Sequence, residues 1–105
     1  MTGDVKFCAI LTMRYMNKSL MQSCHDYIAN NMPPPPKGLI AMRSFHIAPD
    51  RGMSLCYFDT NENLNAAFPS MKEFQQRVAA KFEAKADAQK AITSVSYTHL
   101  TLPTR

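Results

Sequence analysis

From Val5 to Tyr15 the chain alternates: Val5, Phe7, Ala9, Leu11, Met13 and Tyr15 share one parity, and Lys6, Cys8, Ile10, Thr12 and Arg14 share the other. A period of two predicts a strand whose first set faces the core. The second set is apolar at Cys8 and Ile10 and polar at Thr12 and Arg14. That mixture suits a sheet face covered by something other than helices. Leu20, Met21, Cys24, Tyr27, Ile28 and Met32 then recur on one side of a helix. Ser19 and Gln22 are spaced as a capping box at its start. Pro33 to Pro36 must stop that helix and form a stiff, extended connector.

The stretch from Gly38 to Asp59 predicts a β-hairpin around Ala-Pro-Asp-Arg-Gly, where Pro49 presets φ, Asp50 bonds its own backbone and Gly52 tolerates positive φ. In its first strand Leu39, Ala41, Arg43, Phe45 and Ile47 oppose Ile40, Met42, Ser44 and His46. In the second, Met53, Leu55 and Tyr57 oppose Ser54, Cys56 and Phe58. Neither face of either strand is plainly polar, whereas a sheet wet on one side alternates cleanly; both faces are expected to be covered. Thr60 or Asn61 caps the next helical segment, lined by Leu64, Ala67 and Phe68. Pro69 interrupts it, and Ser70 with Glu73 restarts it, with Met71, Phe74, Val78, Phe82 and Ala86 carrying the stripe to about Lys90. A fourth strand is expected to begin at Ile92 to Val95. The order β-α-β-β-α-β predicts an α+β, ferredoxin-like fold: an antiparallel sheet with two helices on one face.

Composition narrows the functional classes. The 105 residues make one domain, 46% hydrophobic and 19% charged, which is ordinary for a globular chain. No apolar run approaches the ~20 residues of a membrane span, and the start of the chain lacks the marks of a signal peptide. A cytoplasmic protein without a membrane partner is expected. The net charge of +4 comes from scattered cations, many of them on a helix among Glu73, Glu83 and Asp87. Without a clustered basic stripe or stacking platform, nucleic acid is not an expected partner. Cys8, Cys24 and Cys56 are odd in number and far apart, so buried reduced thiols are expected.

Candidate chemistry is sparse. Arg43, between Ala41 and Phe45 on its own face, can anchor an anionic or phenolate oxygen through its planar donors. It can equally pair with an acid or reach solvent along its stem. Tyr57 can donate a hydrogen bond into the same region or serve as a half-buried core tyrosine. His46 lies opposite that face near the hairpin loop, and His25 beside the first helix's stripe is expected to be exposed. No metal constellation is visible, because Cys24 and His25 are adjacent on a helix and cannot chelate as i, i+4 residues do. Nor does any glycine-rich phosphate loop or nucleophile-base spacing occur.

Three stretches carry a resemblance: the strand ending in Leu-Thr-Met-Arg-Tyr, the Pro-x-Gly-Leu-Ile run from Pro36 to Ile40, and the Tyr-Phe-Asp that ends the hairpin. Together with the element order, they resemble the dimeric α/β-barrel superfamily, particularly antibiotic-biosynthesis-monooxygenase-like domains. The resemblance covers Val5 to about Val95. It implies a homodimer in which two sheets pack face to face, with a cavity between each sheet and its helices or near the partner's edge. It also implies either cofactor-free oxygenation of quinol-type substrates, without flavin or metal, or haem binding and degradation. The family's site uses a strand-one asparagine with a tryptophan. This chain has no tryptophan, and its first strand offers Thr12 and Arg14 in place of asparagine. Thr12, Arg14, Arg43 and Tyr57 are therefore the candidate ligand-binding residues, with no catalytic residue assigned and no cofactor expected. Three functions remain open: binding of a small apolar or aromatic molecule, a cofactor-free monooxygenase or isomerase acting on a phenolic or quinol substrate, and a non-catalytic dimerisation or regulatory module.

The end of the chain reads differently. VSYTHLTLPT, from Val95 to Thr104, resembles the translation of a transposase sequencing adapter, GTC-TCT-TAT-ACA-CAT-CTG-ACG-CTG-CCG-ACG. The expected division is a domain over 1–94 with its fourth strand cut short, and an adapter-derived tail over 95–105 that is excluded from the reading of the fold. Sequencing the source gene past the codon for Ser94 tests this.

Overall fold

Strands and helices follow one another as β1 (Phe7–Arg14), α1 (Lys18–Asn30), β2 (Leu39–Ile47), β3 (Arg51–Phe58), α2 (Asn61–Lys81) and β4 (Lys85–Ile92). The strands form one antiparallel sheet in the order β2-β3-β1-β4, the ferredoxin-like arrangement expected from the sequence. The structure, a computed structural model, describes residues 7–94. The start of the first strand at Val5 and the tail from Val95 lie outside the described residues.

Alternation along β1 decides which residues meet the helices. Ala9 is fully buried and packs with Cys56, Phe58 and Leu64, against Phe68 and Met71 of α2. Met13 joins Tyr15, Met21 and Cys24 from the α1 side with Val78 and Ala79 from α2. Burying side chains the size of Phe58 or Leu64 stabilises the fold by about 1.5–3 kcal/mol each. The Tyr15 hydroxyl would be an orphan in such a core, but it donates to the sulfurs of Met13 and Cys24, both at 3.5 Å.

Both helices are capped by side chains, though not everywhere as expected. Thr60 accepts from the Asn63 amide at 3.0 Å, as its position predicts. For α1 the cap is Asn17, which accepts from the Leu20 amide at 2.8 Å, two residues before Ser19. Asparagine caps at least as well as serine, and moving the start back brings Lys18 and Ser19 into the first turn. Met32 falls beyond the helix and is exposed. Gly38 has φ +85, and a Cβ there would stand 2.5 Å from Asp59 Oδ1 and Asn63 Nδ2. Its carbonyl accepts from the Asp59 amide, closing the connector onto the end of the hairpin.

The largest departures lie in the second half of the chain. α2 runs from Asn61 to Lys81 with the exposed Pro69 inside it. Ser70 and Glu73 therefore do not restart a helix. The helix ends nine residues before the expected Lys90, where Glu83 takes φ +55 and the Ala84 amide bonds Ala79 O. The fourth strand then begins at Lys85, not near Ile92, and pairs with β1 over all eight of its residues. Alanine's helix preference obscured a period of two, in which Ala84, Ala86 and Ala88 alternate with Lys85, Asp87 and Gln89. The hairpin loop is also tighter than Ala-Pro-Asp-Arg-Gly, since Arg51 and Gly52 already belong to β3 and Ala48 adopts φ 60.

Candidate functional site

The face of the sheet turned away from the helices is built of four rows, read across β2, β3, β1 and β4. Ala41, Tyr57, Cys8 and Ala91 form the first; Arg43, Leu55, Ile10 and Gln89 the second. Phe45, Met53, Thr12 and Asp87 form the third, and Ile47, Arg51, Arg14 and Lys85 the last. Cys8 is buried and Ile10, Met53, Leu55 and Tyr57 are half-buried, while Phe45 and Ile47 stand 45% and 43% exposed. Apolar residues thus fill the middle of a face that no helix covers, and cations stand at its hairpin end.

At that end the surface sinks into an open depression of about 380 Å³. Thr12, Ile47 and Met53 contribute to its walls, and Arg14, Arg51, Lys85 and Asp87 carry its charges. Arg14 lies directly opposite Arg51 on one side and Lys85 on the other, at Cα separations of about 4.5–5.5 Å. From the helix side, Gln75 Nε2 donates to the Thr12 and Asp87 carbonyls, both at 3.0 Å. It fixes the two strands beneath the depression. Its Oε1 is buried with no partner among the described residues.

All four sequence-predicted residues lie on this open face, but they do not converge. Thr12 and Arg14 line the depression. Arg43 faces Leu55 on the edge strand, and Tyr57 sits diagonally from it, one row farther from the depression. A cross-strand diagonal of this kind separates Cα atoms by about 7–8 Å. Three lining residues escaped the sequence reading. Arg51 falls in the stretch expected as hairpin loop, and Lys85 and Asp87 in the stretch expected as helix. Gln75 was legible in principle: a polar residue between Phe74 and Val78 in an apolar stripe must find partners inside.

The thiols stay out of this chemistry. Cys8, Cys24 and Cys56 are all buried and free, as expected. Desolvation raises the pKa of each, and Cys56, with Cys8 close by, is pushed up to about 11. Burial, and then the hydrogen bond to Cys24, likewise raise Tyr15 above its ordinary value. His25, exposed as expected, meets His46 edge-on with ring centroids 5.2 Å apart, on the helix side of β2. Among the described residues no group of three or more His, Cys, Asp or Glu could hold a metal ion, and no helix is long and apolar enough to cross a membrane.

No protein-family model matches the chain, and no curated protein matches it in sequence. Solved structures do. A dimeric ferredoxin-like protein from an uncultured marine organism superposes with a TM-score of 0.70 at 12% identity, over 92% of this chain and 95% of that one. A monooxygenase from Streptomyces coelicolor, solved with nanaomycin D, gives 0.63 at 10% identity over 90% and 94%. SnoaB, a cofactor-independent oxygenase from Streptomyces nogalater, gives 0.53 at 6% identity over 91% and 98%. The likeness shows the ferredoxin-like fold shared by dimeric and antibiotic-biosynthesis-monooxygenase-like proteins, as the sequence resemblance led us to expect.

Proposed function

We propose that this chain is a cytoplasmic homodimer whose open sheet faces pack together, and that it binds a small apolar or aromatic molecule at the hairpin end of that face. The supporting observation is the open face itself. Ile10, Met53 and Leu55 are only half-buried and Phe45 and Ile47 are nearly half exposed, beside a depression of about 380 Å³. That volume falls in the ~300–1,000 Å³ range of small-molecule sites. A patch of this kind on a lone chain marks an interaction surface. Buried free thiols fit a reducing compartment, and the neighbour described as dimeric offers a precedent for the assembly.

A second reading, oxygenation of a phenolic or quinol substrate without a cofactor, draws on the two oxygenases that share the fold. Fold alone does not carry a reaction. Sedimentation velocity tests the dimer, and calorimetric titration with naphthalene-type probes tests binding. Oxygen uptake over a panel of quinols separates the readings: uptake abolished by Arg14→Ala makes the chain an oxygenase, and saturable binding without uptake leaves it a binder. A monomer that binds no probe refutes both.

A further inference from the structure

The last row of the open face places three cations side by side on three adjacent strands, Arg51, Arg14 and Lys85. Like charges directly opposite in a sheet are destabilising, and all three side chains are exposed with no ion pair among the described residues. The one acid in the depression, Asp87, stands a row away, opposite Thr12. The lining therefore carries a net charge of +2, three cations against one carboxylate. Its walls are not polar throughout: Ile47 and Met53 line it, and Phe45 continues the apolar surface inward.

We propose that Arg14, Arg51 and Lys85 form an anion anchor, and that the ligand of this face is a small organic carboxylate whose hydrocarbon or aromatic body lies on Ile47, Met53 and Phe45. This deepens the small-molecule reading above and rests on it. Two adjacent guanidinium groups offer planar forks of donors that match a carboxylate in a way ammonium groups do not. The Thr12 hydroxyl adds a neutral donor on the same wall. Ile47 and Met53 on the walls favour an anion with an apolar body over inorganic phosphate, which has no hydrocarbon to lay on them. An uncharged aromatic molecule would leave the three cations facing one another, whereas a bound carboxylate relieves their repulsion.

The test is a titration of the full chain with 1-naphthoate at about 150 mM salt, where charges farther than ~8 Å are screened. 1-Naphthalenemethanol and inorganic phosphate serve as comparison probes. We expect saturable binding of 1-naphthoate, about tenfold tighter than the neutral alcohol, and weaker binding of phosphate. Arg51→Gln should cost about fivefold or more in naphthoate affinity without altering the alcohol's, while Lys72→Gln on α2 changes neither. Equal affinity for the acid and the alcohol would leave the small-molecule site standing and remove the anchor. The anchor also fails if Lys72→Gln weakens binding as much as Arg51→Gln, because the effect would then be general attraction. Tighter binding of phosphate would overturn the carboxylate class, and no binding of either naphthalene probe would remove the small-molecule site with its anchor.

Discussion

Phe58 and Tyr57 are neighbours in the chain and similar in size, yet they belong to different surfaces. Phe58 is fully buried under α2 with Ala9, Cys56 and Leu64, whereas Tyr57 is half-buried on the face that no helix covers. The same contrast runs through the whole sheet. On the helix side every apolar residue of β1 finds a side chain from above. On the open side Ile10 and Leu55 face each other and Met53 lies between Phe45 and Thr12, with no helix above them and cations at the hairpin end. One face is completed by the chain's own folding. The other carries apolar residues that no helix of the chain closes.

Substitutions that compare the two faces can break this distinction. The largest effect is expected from Phe58→Ala, which should destabilise the folded chain by about 3–5 kcal/mol at any protein concentration, measured by urea unfolding. If the loss instead depends on concentration, the helix face is not an independent core. In the proposed dimer, Leu55→Asp should leave the monomer folded and weaken association by about a hundredfold or more, since it would place a charge in the middle of the face proposed as the interface. A dimer that persists in sedimentation would show that association uses another surface.

A third comparison uses pH. The unfolded Cys56 thiol titrates near its ordinary value of 9.0, but burial and the proximity of Cys8 push it up to about 11 in the folded protein. Between those values the folded state holds the proton and the unfolded state has released it. Stability should therefore fall as pH rises from 9 toward 11, and the slope should become shallower in Cys56→Ala. An unchanged slope would mean that the thiol is not desolvated on the helix side. Gln75→Leu should change stability by less than about 1.5 kcal/mol. It removes two hydrogen bonds to carbonyls of paired strands but also one buried acceptor without a partner. A loss of several kcal/mol would show that Gln75, more than the ladder, holds β1 to β4. The smallest expected effect is a gain: Arg51→Gln should stabilise the chain by about 0.2–1 kcal/mol by relieving its repulsion with Arg14. A loss there would mean that the guanidinium is already engaged within the chain.

How much of this was legible before folding depends on the residue. β1, β3 and the cap at Thr60 follow from alternation and side-chain chemistry within a few positions. Ala84 to Ile92 did not, because alanine and lysine suit a helix and only pairing with β1 imposes the extended form. Asn17 displaced Ser19 as cap, since both are competent and the start of the helix is set by where its stripe meets the core. Alternation placed Thr12 and Arg14 together on one face of β1, and both line the depression. Arg51 and Lys85 were invisible because their partner in the row lies 37 and 71 positions away in the chain.

The sequence by itself therefore determined the order of elements, the residues that bury against the helices and the presence of a second apolar face, because periodicity and local propensity are properties of neighbours. Only the tertiary structure decided the register. Register is a matter of pairing between distant strands, and it placed Arg51, Arg14 and Lys85 in one line beside a depression. It also separated Arg43 and Tyr57 from that depression, although all four predicted site residues share its face.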